Sequence, residues 1–344
     1  MKKYRAVVIG CGDRSRGHLK AFATMKDVDL VACCDLRPEA RDARAGEFKI
    51  KGYADAEQMI RDIRPEIVNL VTMPTSRVEL MSLVSDLKVP LCVVEKPIAV
   101  GVKDWKALCR LEASSKTKFA VSHQCRWQPN LVKCRQALDS GALGEIKFLD
   151  LSAGMSISGQ GTHILNYGRY LNRDRYVTSV FGAAAGNKEM HEVHPGPETT
   201  AGYLIFDNGV RAFWNTGPTA PRCGDPKTFW KHVRVAAYAD RGRVNWEEFG
   251  RWEIVSPRGT KTGSFGGMKT WEKNNIISQV DFHRAMFDWL KNPRKAPGTN
   301  LKDSLHEWKV VLALYTSVIS RKPIEIEGFS PPEDLYERLA KALK

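Results

Sequence analysis

The stretch Val93-Val94-Glu95-Lys96-Pro97 sets a lysine between a carboxylate and a proline, at the end of the apolar run Leu91-Cys92-Val93-Val94. Such a run reads as a buried strand and its charged end as a turn. Near the N-terminus, Gly10-Cys11-Gly12-Asp13-Arg14-Ser15 follows a second apolar run and opens a helical pattern. A glycine at the first position permits a tight turn. One at the second lets the backbone approach a pyrophosphate, whose charge the helix N-terminus favours. Ser15 stands where the fingerprint has its third glycine. Asp35 ends the next run, 25 residues after Gly10. A carboxylate there accepts hydrogen bonds from ribose hydroxyls and repels a 2′-phosphate, which favours NAD; Arg37 could receive that phosphate instead, so NADP stays open. Ligands of open α/β sheets sit beyond the carboxyl ends of the strands. Lys96 is therefore expected at the mouth of a nucleotide crevice, able to hydrogen-bond a hydroxyl and stabilise alkoxide character. Its bland role is pairing with Glu95.

A second group lies in Gly159-Gln160-Gly161-Thr162-His163-Ile164-Leu165-Asn166-Tyr167. An imidazole titrates near neutrality, so His163 can take a hydroxyl proton as general base. Asn166, one helical turn on, can orient it or hold a hydroxyl. Tyr167 is a further candidate substrate residue, and so is Trp127, which is equally readable as core. His191-Glu192-Val193-His194 has the spacing of two metal ligands on a helix, but Pro195-Gly196-Pro197 follows at once and argues a loop. No metal site is expected.

These residues need positioning elements. Over the first 120 positions, short β-branched runs near 5–9, 30–34, 67–71, 91–94 and 119–122 alternate with helical patterns near 15–25, 38–48, 56–63, 76–87 and 102–115. That alternation predicts a doubly wound parallel sheet covered on both faces. After Gln124 the pattern changes. A helix near 128–140 is followed by strand-like runs near 146–153, 179–185, 200–206, 210–216, 233–239, 243–248 and 252–255, predicting a largely antiparallel sheet. Asp207-Asn208-Gly209 reads as a two-residue type I′ hairpin. Helices are expected near 278–290 and 301–320, the latter with Asn300 and Asp303 as a capping pair. A short strand is expected near 322–326, a tail helix near 333–343, and loops over 218–230 and 259–271.

The chain has 344 residues, 43% hydrophobic and 27% charged, enough for two globular domains. No apolar run approaches the ~20 residues of a membrane span. The basic start lacks the long apolar core of a signal peptide. Eight cysteines, mostly inside strand or helix patterns, suit a reducing, cytoplasmic setting. The net charge of +14 is spread along the chain without basic blocks, so a nucleic-acid partner is not expected.

With these residues in place, the chain resembles the glucose-fructose oxidoreductase / inositol 2-dehydrogenase family, called Gfo/Idh/MocA. The resemblance rests on Gly10-x-Gly12-x-x-Ser15-x-x-His18, Thr72-Met73-Pro74-Thr75-Ser76-Arg77, Glu95-Lys96-Pro97, the segment Val121–Trp127, Ser140-Gly141-Ala142-Leu143-Gly144-Glu145-Ile146 and the glycine–histidine pair Gly161 and His163. The family has carboxylates where this chain has Gly159 and Asn166. The resemblance implies an N-terminal Rossmann domain (1–123), an α+β domain with a large open, mostly antiparallel sheet for substrate binding and oligomerisation (124–330), and a C-terminal helix (331–344). It implies NAD(P)-dependent hydride transfer to or from a secondary hydroxyl of a sugar, cyclitol or glycoside, with Lys96 and His163 catalytic. Gly10, Gly12, Asp13, Arg14, Ser15, Asp35, Arg37, Thr72, Pro74, Glu95, Lys96 and Arg126 are expected toward the cofactor. Trp127, His163, Asn166 and Tyr167, with Lys96, are expected toward the substrate. A homodimer or homotetramer is implied. Alternatives are redox-neutral glycoside cleavage through transient oxidation, and a non-catalytic dinucleotide-binding regulator.

Overall fold

In the computed structural model, which describes residues 3–221 and 226–344, the chain forms two compact units. One comprises Met1–Ala99, Lys106–Gln124 and Asn275–Ser304; the other comprises Val100–Trp105, Cys125–Asn274 and Leu305–Lys344.

The first unit carries the parallel sheet. Its strands are β1 (Tyr4–Ile9), β2 (Val28–Cys34), β3 (Lys51–Tyr53), β4 (Ile67–Leu70), β5 (Leu91–Val94) and β6 (Lys118–Val121), in the order β3-β2-β1-β4-β5-β6. The order reverses between β1 and β4, which makes the crevice there the natural ligand position. Register fixes what stands at it. Ile9 pairs with Cys34 and with Leu70, and Leu70 pairs with Val94. Gly10, Asp35, Val71-Thr72 and Glu95 therefore leave the sheet at one edge. β4 and β5 are buried at every position, as near-continuous apolar strands between two helix layers must be. β3 was not anticipated, since three residues are too few to show a period.

This unit also claims a late segment that the sequence reading placed in the second domain. Val121 N–H donates to Thr299 O (2.8 Å), Ala120 bridges Asn300, and Phe287 packs on Tyr4 at 4.7 Å between ring centroids. The segment's helix runs Met268–Lys291, starting earlier than expected. Gly266 and Gly267, both at positive φ, precede it, and its first turns are mostly exposed and lack an apolar stripe. The Asn300–Asp303 capping pair forms: Asp303 N–H donates to Asn300 Oδ1 (3.0 Å), and Asn300 Nδ2 donates to Asp303 Oδ2 (2.6 Å).

The second unit holds a nine-stranded sheet: β7 (Ile146–Ala153), β8 (Val177–Ala185), β9 (Thr199–Phe206), β10 (Arg211–Thr216), β11 (Val233–Ala239), β12 (Gly242–Glu247), β13 (Arg251–Ser256), β14 (Gly259–Ser264) and β15 (Ile324–Glu325), in the order β14-β13-β12-β11-β7-β10-β9-β8-β15. Among the described residues, only the β7–β10 pair of this sheet is parallel. β14 falls where a loop was expected over 259–271; its residues are polar and exposed, so no alternation marks it. Of the loop expected over 218–230, positions 222–225 lie outside the described residues, and Pro226–Lys231 forms a short 3-10 segment. The hairpin at Asp207-Asn208-Gly209 is also a correction. Phe206 N–H donates to Val210 O, and only Gly209 takes positive φ, so the loop has three residues and ends on a glycine bulge.

One face of this sheet packs on helices. Trp214, Leu149, Leu151 and Leu204 are fully buried there. Fully burying a leucine is worth roughly 1.5–3 kcal/mol. A Cβ on Gly168 would stand 2.6 Å from Leu151 Cδ2, and one on Gly182 2.7 Å from Leu314 Cγ. These glycines let the helices Thr162–Leu171 and Leu301–Ser320 seat close to the strands. The short tail helix Leu335–Ala342 lies within the expected span.

Candidate functional site

In the first unit, the turn after β1 is built for close approach. Gly10 has φ +96°, and a Cβ on it would lie 2.3 Å from Val71 O. Gly12 has nothing nearer its Cβ position than Arg37 Nη2, at 3.9 Å, which leaves open space ahead of the helix Ser15–Thr24. Asp35 Oδ2 accepts from Cys11 N–H (2.8 Å), and Oδ1 accepts from Arg37 N–H (2.9 Å) and Nε (3.3 Å). Burial works against its charge, but these donors outweigh it and hold the carboxyl below the usual range. A pyrophosphate over the glycines and a ribose at Asp35 fit these residues. Asp13 pairs with Arg44 at 3.2 Å instead of facing the turn alone.

Glu95 is the organising charge. It is buried, and its Oε1 accepts from Arg14 Nε (2.9 Å) and lies 2.7 Å from His18 Nε2. Asn69 Nδ2 donates to His18 Nδ1 (3.1 Å), so the ring proton sits on Nε2 and points at Glu95. Burial keeps His18 neutral, against the pull of Glu95. Burial opposes ionisation of Glu95 too, yet Arg14, His18 and Lys96 together hold it well below the ordinary carboxylate range. The glutamate thus ties the helix behind the glycine turn to the end of β5. Lys96, half-buried, follows it directly, and the Lys96–Pro97 peptide is cis.

Thr72 and Pro74 lie at the end of β4, where a 3-10 turn Pro74–Ser76 places Ser76 Oγ 3.0 Å from Thr72 Oγ1. Beneath them Arg77 is fully buried and donates to Leu70 O (3.5 Å) and Thr72 O (3.4 Å). Burial lowers its guanidinium to about 10, against the attraction of Glu95. Sequence reasoning did not assign roles to Asn69 or Arg77. A polar residue inside an apolar strand was the available signal for the first.

In the second unit, His163 stands in the first turn of the helix Thr162–Leu171, after a π-helical turn at Ile157–Gly161. Trp214 Nε1, fully buried, donates to Gly161 O (3.1 Å) and anchors that junction. Tyr167 Oη lies 3.2 Å from His163 Nδ1, the two rings stack, and Trp246 packs edge-on against Tyr167 at 5.7 Å. Tyr167 is buried while His163 is half-exposed.

Asn166 is fully buried. Its Nδ2 donates to Glu307 Oε1 (2.8 Å), and its Oδ1 accepts from Arg126 Nη1 (3.5 Å). Glu307 Oε1 also accepts from Arg169 Nη1 (2.7 Å), and neither side chain of that pair is exposed. Arg126 pairs with Asp174 and lies over Tyr170 at 4.5 Å. The structure thus places Asn166 and Arg126 in a buried chain under the histidine helix, not on an open surface. Trp127 is half-buried with Arg126 6.0 Å from its ring centre. Glu307 was missed; a glutamate within the apolar helix Leu301–Ser320 was its signal, because a charge there must be paired. The His191 and His194 pair sits in a 3-10 turn and the loop after it.

Comparison with known proteins follows the same division. Residues 4–123 match the model of GFO_IDH_MocA, described as an oxidoreductase family with an NAD-binding Rossmann fold. Over 352 aligned residues the chain is 24% identical to D-apiose dehydrogenase of Paraburkholderia graminis, covering 95% of this chain and 91% of that protein. It is 27% identical over 148 residues to inositol 2-dehydrogenase of Rhizobium meliloti, covering 42% of this chain and 44% of the relative. The fold superposes on a crystal structure of an oxidoreductase from Agrobacterium radiobacter, in complex with NAD+, L-tartaric acid and magnesium, with a TM-score of 0.80 at 20% identity, over 95% of this chain and 99% of that one. Residues 4–123, about a third of the chain, thus resemble the NAD-binding Rossmann domain of the Gfo/Idh/MocA oxidoreductase family.

Proposed function

We propose that the protein is an NAD(P)-dependent oxidoreductase that moves hydride between a nicotinamide cofactor and a secondary hydroxyl of a sugar, cyclitol or glycoside. The observation that carries this reading is the nucleotide cradle: open space at Gly12, a helix N-terminus behind it and an ionised Asp35 beside it. The dehydrogenase relatives support the substrate class.

The nicotinamide supplies the hydride chemistry when bound. The chain's own residues then have separate roles. Gly10, Gly12 and Ser15 admit the phosphates, Asp35 takes the ribose, and Glu95 holds Arg14 and His18 so that the turn keeps its shape. Lys96 polarises the substrate oxygen. His163 takes the hydroxyl proton on Nε2, with Nδ1–H donated to Tyr167. Asn166 and Arg126 position the helix that carries His163 and do not contact substrate. In the reverse direction the same groups act as acids.

The test is fluorescence titration with NADH and NADPH, followed by a screen of sugars, sugar acids, cyclitols and glycosides read at 340 nm and by product analysis. Absence of binding by both cofactors overturns the reading.

A homodimer or homotetramer belongs to the same proposal. Tyr238, Phe148, Phe213, Tyr203 and Phe181 form one aromatic row across the adjacent strands β11, β7, β10, β9 and β8. Phe213 is 51% exposed and Phe181 46%. Apolar exposure of that extent suits burial against a second copy. A cytoplasmic setting is also proposed, supported by buried thiols at Cys11, Cys33, Cys34 and Cys92. Among the described residues, no helix is long and apolar enough to cross a membrane.

A further inference from the structure

Resting on the oxidoreductase reading, we propose that the substrate is a glycoside with an apolar aglycone, that Trp230 and Phe249 hold the aglycone, and that His163 addresses the sugar. Ala153, the end of β7, pairs with Thr216 at the end of β10 and with Val233 at the start of β11. Arg234 pairs with Glu247, the end of β12. Three segments therefore emerge from one end of the sheet: the turn leading to His163, the loop carrying Phe229 and Trp230, and the turn carrying Phe249.

Hydrogen bonds join the first two segments. Gly154 N–H donates to His232 O (2.8 Å), and His232 N–H donates to Phe229 O (2.9 Å). Gln160 Nε2 donates to Trp230 O (2.6 Å), while its Oε1 accepts from Met155 N–H (3.1 Å). Gln160 stands three residues before His163. A Cβ at Gly154 would lie 2.1 Å from Phe229 O, so glycine is what allows this approach. The Trp230 backbone is thus fastened to the segment that delivers the histidine.

The rings form a supported platform. Trp230 meets Phe249 edge-on at 5.7 Å, and Phe249 stacks on Trp271 at 5.0 Å and touches Phe265 at 6.3 Å. Trp230 stays 41% exposed, Phe229 42%, Met268 40% and Met155 37%. Lys231 Nζ lies 5.1 Å from the Trp230 ring centre. A free pentose or cyclitol carries a hydroxyl on almost every carbon and needs a matching set of donors and acceptors. These exposed side chains are rings and thioethers, with the Lys231 ammonium beside Trp230. An aryl or alkyl aglycone fits them by stacking and burial, and Lys231 can meet a sugar hydroxyl at the edge.

The test measures binding of phenyl and methyl β-D-glucopyranosides, their α-anomers and the galacto and xylo counterparts to the NADH-loaded protein, by calorimetry. NAD+ reduction is followed in parallel with the same compounds and the free sugars. At least one phenyl glycoside is expected to bind tenfold or more tightly than its methyl partner. Trp230→Ala should bring that ratio toward one, and Trp230→Phe should retain part of it, with NADH affinity and thermal midpoint reporting that both variants are folded. Equal affinity for phenyl and methyl members throughout the panel, or a phenyl preference that survives in Trp230→Ala, overturns the inference. Turnover of free sugars without any phenyl preference removes the glycoside assignment and leaves the oxidoreductase reading standing. Trp230-dependent phenyl binding without NAD+ reduction by any compound removes the oxidoreductase reading and leaves the aglycone site standing.

Discussion

Tyr167 Oη lies 3.2 Å from Nδ1 of His163, one helical turn away on the same face, with the two rings stacked. The family resemblance drawn from sequence implies carboxylates where this chain has Gly159 and Asn166. The Asn166 amide is engaged with Arg126 and Glu307 instead. The buried phenol is therefore the group placed to fix which imidazole nitrogen carries the proton. Tyr167→Phe should lower kcat/KM about tenfold, less than the roughly 10²–10⁴ that a general base itself contributes, and leave NADH affinity unchanged. Nitrogen-15 NMR of the histidines should show His163 Nε2 gaining proton occupancy in the variant. An unchanged His163 signal in Tyr167→Phe, with the assignment fixed by His163→Gln, would remove the phenol from this role.

Lys96 and His163 should separate from the binding residues in kinetics. His163→Ala and Lys96→Ala are each expected to cost about 10²–10⁴ in kcat while NADH binds within a few-fold of wild type. Full activity in both variants would show that the chemistry lies elsewhere.

Asp35 should govern cofactor choice. Its carboxylate is held ionised by Cys11 N–H and Arg37, and the exposed Arg37 guanidinium stands beside it. Asp35→Ser should weaken NADH binding and strengthen NADPH binding, moving the ratio of their dissociation constants by roughly tenfold or more, since about 1.4 kcal/mol suffices for each factor of ten. Fluorescence titration of both cofactors gives the ratio directly, and a ratio unmoved by the substitution would detach Asp35 from the ribose.

The aromatic row should control assembly. Phe213→Lys places an ammonium in the middle of the exposed face of β10, where Phe148 packs at 5.1 Å and Tyr203 at 5.7 Å. Sedimentation at micromolar concentration should show wild type as a dimer or tetramer and the variant shifted toward monomer. A wild-type monomer would refute the assembly.

Local chemistry was readable from the chain because it depends on neighbours in sequence. Gly10, Gly12 and Asp35 announce a nucleotide turn by type and spacing, and β4 and β5 announce burial by unbroken apolar runs. What stayed hidden depends on tertiary register. Glu95 reads as a lysine's neighbour, yet its partners Arg14 and His18 are 81 and 77 positions away. Asn166 stands one helical turn past His163 in sequence, but its partner Glu307, 141 positions on, has no local mark. The return of Asn275–Ser304 to the nucleotide unit leaves no local mark, because an amphipathic helix does not declare which core it covers.

Two buried histidines give the fold an acid limit that can be assigned. His18 bridges Asn69 and Glu95 as a neutral ring, and burial lowers its pKa. His283 packs against Phe22 at 4.3 Å and Phe282 at 5.2 Å, neither ring nitrogen has a hydrogen-bond partner among the described residues, and burial pushes its pKa well down. In the unfolded chain both titrate near ~6.5. Above that pH both states hold the rings neutral and the full stability is present. Below it the unfolded chain takes up protons that the folded chain refuses, so stability falls by up to about 1.4 kcal/mol per pH unit for each ring. Glu95, depressed when folded, adds to the loss in the same direction below about pH 4.3. Urea unfolding should therefore show a lower midpoint at pH 5 than at pH 7.5. His283→Leu, which keeps an apolar group in the cavity, should flatten that decline by up to one proton's worth, whatever it does to stability at pH 7.5. A slope identical to wild type between pH 6.5 and 5 would mean that His283 is not refusing a proton in the fold.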